Sequence, residues 1–109
     1  MTDSPRLQQL LQFHSDNPND AFLLFALAKE HEKLGNPDSA LDFYQKIVET
    51  SPDYVGVYYH LGKLQEKNGV PEQAIRTYKM GMAVAQRIGD RHALSELAGA
   101  KMEISDEED

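Results

Sequence analysis

Apolar residues recur at intervals of three and four positions along most of this chain, and short polar breaks interrupt them. Gly35, Gly69 and Gly89 each follow an apolar stretch, and Pro37 and Pro71 come two residues after the first two glycines. Glycine adopts the left-handed conformation that ends a helix, and proline fits the first turn of the next one. The pattern therefore predicts about six helices joined by short connections.

The central part of the sequence repeats itself after 34 residues. Residues 21–52 fall on residues 55–86 without a gap, and small, large and turn-forming residues agree in register. The identical pairs are Leu27/Leu61, Lys29/Lys63, Glu32/Glu66, Lys33/Lys67, Gly35/Gly69, Pro37/Pro71, Ala40/Ala74 and Tyr44/Tyr78. Each repeat is therefore predicted to be a helix, a tight turn and a second helix.

This unit resembles the tetratricopeptide repeat, whose pattern runs W-x2-L-G-x2-Y, then A-x3-F, then P. The matching residues are Leu24, Leu27, Ala28, His31, Ala40, Tyr44 and Pro52 in the first repeat, and Tyr58, Leu61, Gly62, Gln65, Ala74 and Tyr78 in the second. Gln86 replaces the closing proline of the second repeat, so its last helix is expected to continue to Ile88. The resemblance implies an all-α fold, a right-handed α-solenoid of stacked antiparallel helix pairs.

We expect residues 1–104 to form a single domain of this type. Its parts are an N-terminal half-repeat helix (5–15), a first repeat (20–52), a second repeat (53–88) and a C-terminal capping helix (90–104). In the capping helix the apolar side is expected to carry Leu94, Leu97, Ala98 and Met102, and the polar side Glu96, Lys101 and Glu103. Residues 105–109 are expected to form an acidic disordered tail.

The net charge of −7 is concentrated at the C-terminal end. Five of the 18 acidic residues lie in residues 103–109, which leaves 13 acids against 11 bases in the remainder. An acidic chain without a basic cluster is not expected to bind nucleic acid or an anionic membrane. The N-terminal residues lack the basic and apolar stretches of a secretory signal, and the chain has no cysteine, so a cytoplasmic location is expected.

The sequence offers little catalytic chemistry. It has no nucleophile elbow, phosphate-binding loop, dinucleotide-binding turn or zinc-protease motif. The four histidines, His14, His31, His60 and His92, are far apart, and no two of them share one helix face at a spacing of four. We therefore expect neither enzyme activity nor a metal or cofactor.

The resemblance implies a ligand site, because in this family the first helix of each repeat lines a concave groove. By register, the groove residues are expected to be Phe22, Phe25, Lys29, Lys33, Tyr59, His60, Lys63 and Lys67, with Glu32, Gly56 and Glu66 beside them. Aromatic and cationic side chains favour an acidic and apolar peptide or protein. A competing interpretation treats these lysines as ordinary surface charges. The Lys/Asn carboxylate clamp of some family members is absent.

The function expected from these features is a non-catalytic protein–protein interaction module whose partner is a protein or peptide. A second hypothesis is self-association as a homodimeric assembly subunit, through Met80, Met82, Val84 and Ile88 on the second helix of the second repeat. A third possibility concerns the acidic tail, which would act as a weak autoinhibitor if it occupied the lysine-lined groove.

Overall fold

The chain is described over residues 4–105 by a computed structural model, in which all regular structure is helical. The helices are α1 (Pro5–Asp16), α2 (Ala21–Lys33), α3 (Pro37–Thr50), α4 (Gly56–Lys67), α5 (Pro71–Ile88) and α6 (Arg91–Ile104). The all-α class and the six helices of this range are therefore as predicted. The expected tail at 105–109 lies outside the described residues except for Ser105, and the division into repeats stays a prediction.

The turn residues end and begin these helices as the sequence indicates. Gly35, Gly69 and Gly89 have φ angles of 78°, 78° and 79°, in the left-handed region. The N–H of the residue after each glycine then donates to a carbonyl in the last turn of the preceding helix, at 2.8–3.0 Å. At the N-terminal ends, the hydroxyl of Ser4 and the carboxylate of Asp90 accept hydrogen bonds that cap α1 and α6.

The chain divides into two compact units between Tyr54 and Val55. In the first unit α2 and α3 form the main helix pair, and α1 packs against α2. In the second unit α5 packs against both α4 and α6, and α6 also contacts α4. Within residues 4–105, no helix combines the length and the apolar content that crossing a membrane requires.

In the first unit, α1 is held to α2 by apolar packing and by one buried carboxylate. Leu7 and Leu10 of α1 pack with Leu27 of α2 in a buried cluster. Glu30 of α2 is also buried, and it accepts a hydrogen bond from the hydroxyl of Ser4 at 2.9 Å. The Nε atom of Arg6 lies 3.6 Å from the same carboxylate. A buried charge is tolerated when it is paired in this way, so the first turn of α1 is anchored electrostatically.

In the second unit, the approach of α4 and α5 leaves no room for a side chain at two positions. A Cβ atom on Gly62 would lie 2.2 Å from a ring carbon of Tyr78, and one on Gly81 would lie 2.5 Å from the Cβ of Tyr58. The register places Ala28 opposite Tyr44 in the first unit, and both are fully buried there. Small residues on one helix therefore accommodate a large ring on its neighbour.

The expected faces of α6 are wrong at two positions. Lys101 is buried, with 3% of its surface exposed, whereas Met102 is 70% exposed. The buried side of α6 consists of Leu97, Ala100 and Lys101. The last two follow Leu97 by three and four residues, so all three lie on one side of the helix. The ammonium group of Lys101 is thus buried together with its aliphatic stem, and the residue is not without a partner, so its charge did not determine its side of the helix.

We expect Gly62→Ala to lower the free energy of unfolding by about 1–3 kcal/mol, because the added methyl group needs space that the ring of Tyr78 occupies. The measurement is urea denaturation followed by circular dichroism. A matched control is Gly99→Ala in α6, where no heavy atom lies within 4 Å of the added Cβ. The control should raise stability by about 0.5–1 kcal/mol through helix propensity. Equal effects of the two substitutions would contradict the packing argument.

Candidate protein-binding faces

The expected groove residues lie on the first helix of each main pair, and each unit is described by itself. We call Phe22, Phe25, Lys29 and Lys33 the α2 face, and Tyr59, His60, Lys63 and Lys67 the α4 face. The members of the α2 face follow one another at steps of three or four residues, and so do Tyr59, Lys63 and Lys67 of the α4 face, so each set lies on one side of its helix. His60 lies at the edge of the α4 face, next to Tyr59.

The aromatic residues of the α2 face have different roles. Phe22 is 67% exposed and is one of several large apolar side chains at the surface. Phe25 is half-buried, and its ring centroid lies 6.0 Å from that of Tyr44 and 5.7 Å from that of Tyr54. Phe25 is thus part of the packing of its unit, whereas Phe22 offers apolar surface to solvent. Lys29 and Lys33 lie on the same face and are exposed.

The α4 face forms a compact aromatic and cationic cluster. The rings of Tyr59 and His60 meet edge to face with their centroids 5.6 Å apart. The Nζ atom of Lys63 lies 5.6 Å from the centroid of the Tyr59 ring, within the range of a cation–π contact. All three side chains are half-buried, whereas Lys67 is exposed in the last turn of α4.

Two carboxylates surround the ammonium group of Lys63. Its Nζ atom lies 3.8 Å from Glu66 and 3.3 Å from Glu103 of α6. Partial burial lowers the pKa of Lys63, but the hydrogen bond to Glu103 and the negative charges nearby outweigh it, so this pKa lies above its ordinary value. The cation is therefore neutralised within its own unit.

The contact of Glu103 with Lys63 was not predicted, because the register that places Glu103 there becomes evident only from the burial pattern of α6. Leu97 of α6 is buried as Leu61 of α4 is, which aligns the two helices at a spacing of 36 residues. At that spacing Glu103 corresponds to Lys67, one helical turn beyond Lys63. The register departs from 34 because α5 is longer than α3 and the connection that follows it is shorter.

A hydrogen bond between the paired helices recurs in both units. The hydroxyl of Tyr44 donates to Glu32 in the first unit, and that of Tyr78 donates to Glu66 in the second. Burial, followed by the adjacent carboxylate, raises the pKa of both tyrosines well above its ordinary value. Both hydroxyls therefore stay protonated and fix a carboxylate beside each candidate face.

The units differ at the position where the family pattern carries an aromatic residue. In the first unit the ring of His31 stacks on Phe43, with centroids 5.6 Å apart. In the second unit the hydroxyl of Thr77 donates a buried hydrogen bond of 2.6 Å to Gln65. A polar pair thus replaces an aromatic pair in the same register. Within residues 4–105, no group of three or more histidine and carboxylate side chains could hold a metal ion.

Comparison with known proteins gives a consistent result. The family model described as tetratricopeptide repeat matches residues 20–64. A TPR repeat-containing protein of Pseudomonas aeruginosa is 31% identical over 91 residues, which cover 84% of this chain and 84% of that protein. The residues that the family model matches include all of α2 and α3 and the greater part of α4.

Solved structures resemble the chain as well. The crystal structure of a tetratricopeptide repeat domain protein from Salinibacter ruber is 47% identical, with a TM-score of 0.75, and covers 82% of this chain and 99% of that one. A solution structure of a protein from Bordetella parapertussis is 22% identical, with a TM-score of 0.79, and covers 94% of this chain and 89% of that one. The second likeness bears on the fold alone.

Tyr78→Phe should lower the free energy of unfolding by about 1 kcal/mol at neutral pH, because it removes the hydrogen bond to Glu66. It should also change the pH dependence. Since folding raises the pKa of Tyr78, the associated stabilisation is fully present below about pH 10 and is lost as the pH rises above it. The variant should therefore lose less stability than the parent protein between about pH 9 and 11.

Urea midpoints measured across that range, in both proteins, provide the test. Lys63 is present in both the parent protein and the variant, so its own titration contributes to both curves and the difference between them reports on Tyr78. Glu66→Gln is a useful companion, since it keeps an acceptor for the hydroxyl but removes the charge. The same alkaline loss in the parent protein and in Tyr78→Phe would show that this tyrosine does not carry the effect.

Proposed function

This chain belongs to the tetratricopeptide repeat family, and we propose that it is a non-catalytic module that binds a protein or peptide at the α2 face of its first unit and at the α4 face of its second unit. Repeats of this family generally mediate protein–protein interaction. The observation that carries the proposal is the cluster of Tyr59, His60 and Lys63, which is half-buried, ordered by ring and cation–π contacts, and open on one side. Aromatic anchors of this kind dominate the binding energy of protein interfaces.

The charges around Lys63 define the ligand chemistry of the α4 face. Glu103 holds the ammonium group but is 69% exposed at its side chain, so solvent screens the bridge and little free energy is needed to open it. An acidic side chain of a ligand can replace Glu103 at the same cation. The ligand we propose for this face therefore carries a carboxylate that reaches Lys63 and an apolar or aromatic group that packs on Tyr59.

The α2 face supplies a different kind of contact. Phe22 provides exposed apolar surface, and Lys29 and Lys33 follow it on the same side of the helix. Burying a phenylalanine ring stabilises a complex by about 1.5–3 kcal/mol, more than a screened surface charge contributes. We therefore assign apolar recognition to Phe22 and electrostatic steering to the two lysines.

The homodimer hypothesis has less support at the residues expected to form its interface. Met80 and Ile88 are exposed, but Met82 is half-buried and Val84 is buried against its own unit. The remaining exposed side chains are eight residues apart on α5 and form no continuous patch. This homodimer, the absence of catalysis and the cytoplasmic location all stay predictions.

The electrostatic part of the proposal is tested with a fluorescein-labelled peptide of aspartate, glutamate, leucine and phenylalanine. Glu103→Gln should tighten binding roughly three- to tenfold by releasing Lys63, and Lys63→Met should weaken it by a similar factor. Both effects should shrink as salt is added. Fluorescence anisotropy titrations at two ionic strengths provide the measurement.

The matched control is Lys79→Met on α5, which removes one exposed positive charge from the same unit. Its dissociation constant should stay within about twofold of the parent value. If Lys63→Met and Lys79→Met weaken the peptide equally, net charge and not the α4 face governs binding, and the proposal fails for this face.

The apolar part is tested by Phe22→Ser. This variant should lose at least about tenfold in peptide affinity while its urea midpoint stays unchanged, because Phe22 packs little within its own unit. Phe25→Ser is the contrasting variant, since that ring contacts two buried or half-buried tyrosines and should be needed for stability. Unaltered affinity in Phe22→Ser would show that the α2 face does not bind this peptide.

A further inference from the structure

The four asparagines of this chain differ in the residue that follows each of them. An asparagine can react with the backbone nitrogen of the next residue, because that nitrogen lies within reach of its side-chain carbonyl carbon. Asn17 and Asn36 precede prolines, which have no N–H to lose, and Asn19 precedes an aspartate. Asn68 is followed by Gly69, which obstructs the approach least because it has no Cβ. The sequence therefore singles out Asn68.

Asn68 and Gly69 form the turn that ends α4. Asn68 caps the helix with φ of −81° and ψ of 1°, and Gly69 follows in the left-handed region with φ of 78°. Both residues are exposed, and a Cβ atom built on Gly69 would have no heavy atom within 4 Å apart from its chain neighbours. Water therefore reaches both residues, and the turn has space in which to rearrange.

The closed turn holds back the reactive nitrogen. The N–H of Gly69 donates to the carbonyl of Glu66 at 3.1 Å, and the N–H of Val70 donates to that of Gln65 at 3.0 Å. With ψ of Asn68 near 0°, the nitrogen of Gly69 also lies beside the backbone nitrogen of Asn68 and is turned away from its side chain. A reaction at this pair therefore requires the last turn of α4 to open, as the ends of helices do more readily than their centres.

The first repeat forms the same turn with a different residue. Leu34 stands at the position of Asn68, with φ of −83° and ψ of 0°, and Gly35 follows it with φ of 78°. The two hydrogen bonds that close the turn recur there at 3.1 and 2.8 Å. The turn thus does not need an asparagine, and leucine is a matched replacement at position 68.

We propose that Asn68 is the site at which this chain deamidates without an enzyme, through the open form of the turn that ends α4. The nitrogen of Gly69 forms a bond to Cγ of Asn68, and the side-chain amide leaves as ammonia together with the proton of that nitrogen. The succinimide ring so formed takes up one water molecule, which breaks one of its two C–N bonds. Cleavage at Cγ gives aspartate, and cleavage at the backbone carbonyl carbon gives isoaspartate. Water is the only co-reactant.

Either product changes the end of α4. Both carry a negative charge at the C-terminus of the helix, where the helix dipole disfavours it. Isoaspartate also lengthens the main chain by one carbon atom before Gly69, so the hydrogen bonds that close the turn lose their geometry. Because these bonds end the helix, conversion lowers the stability of the second unit. This inference does not depend on the proposed ligand of the α2 and α4 faces.

Mass spectrometry of proteolytic peptides, taken from the full chain after incubation at mildly alkaline pH, locates the modification. We expect aspartate and isoaspartate at position 68, and intact amides at Asn17, Asn19 and Asn36. The ammonia released during the incubation should fall several-fold in the matched variant Asn68→Leu. Earlier conversion at another asparagine, or equal ammonia release by the parent protein and Asn68→Leu, would overturn the proposal.

The rate of conversion tests the route through the open turn. Unfolded in guanidinium chloride, the chain should convert Asn68 at least about tenfold faster than when it is folded, because no turn then holds the nitrogen of Gly69. Sodium chloride at the same concentration is the control for salt, and it should leave the rate within about twofold of the value without salt. Equal rates in the folded and the unfolded chain would show that the turn does not protect Asn68, and would overturn this route.

Urea midpoints measure the consequence for α4. The converted chain, separated from the parent protein by ion exchange, should unfold at a lower urea concentration. Asn68→Asp carries the charge without the longer main chain, so its midpoint should fall less than that of the isoaspartate form. Asn68→Leu should keep its midpoint through the same incubation. An unchanged midpoint in the converted chain would overturn the proposed effect on the end of α4.

Discussion

The close approach of paired helices is the constraint on which each unit depends. In the second unit Gly62 lets the ring of Tyr78 rest against the backbone of α4, and that ring is fully buried. The packing of the ring fixes the position of its hydroxyl, which donates a hydrogen bond to Glu66. Packing thus determines the position of a charged group on the surface, since Glu66 in turn lies beside Lys63. The electrostatics of the α4 face therefore begin in the core.

Sequence reasoning was most successful where the deciding interaction is local. The ends of α2, α4 and α5 follow from Gly35, Gly69 and Gly89, because each glycine needs only its own φ angle and a hydrogen bond to the preceding turn. The pairing of a small residue with a large one could also be predicted from the sequence, because both repeats carry these residue types at equivalent positions. Local rules and internal repetition together account for the helix bounds and for the buried tyrosines.

The same reasoning failed where the deciding interaction depends on helix length or on a long side chain. The second helix α5 is four residues longer than α3, and the connection after it is shorter, so α6 departs from the 34-residue register. Glu103 therefore reaches Lys63 from a position that simple repetition does not indicate. The predicted sides of α6 were wrong at Lys101 and Met102 for a related reason. The assignment followed polarity, whereas the geometry of the helix places the 101 position beside Leu97 on the buried side. At this position the phase along the helix outweighs the residue type, since the lysine is buried with a partner.

The repeated and the unrepeated positions serve different purposes. Among the pairs that are identical between the repeats, Tyr44 and Tyr78 join the two helices of one unit, and a repeat cannot vary them without losing its packing. The identical lysines Lys29/Lys63 and Lys33/Lys67 lie instead on the α2 and α4 faces. Positions that differ are free of that requirement. Phe22 has Gly56 as its counterpart, and it is the most exposed aromatic residue of the α2 face. Because a large exposed apolar side chain contributes little to the stability of its own unit, Phe22 is free to serve the ligand contact that we propose for the α2 face. In the proposed function the shared lysines supply the electrostatic part that both repeats have in common, and the residues by which the repeats differ, such as Phe22, supply the specificity.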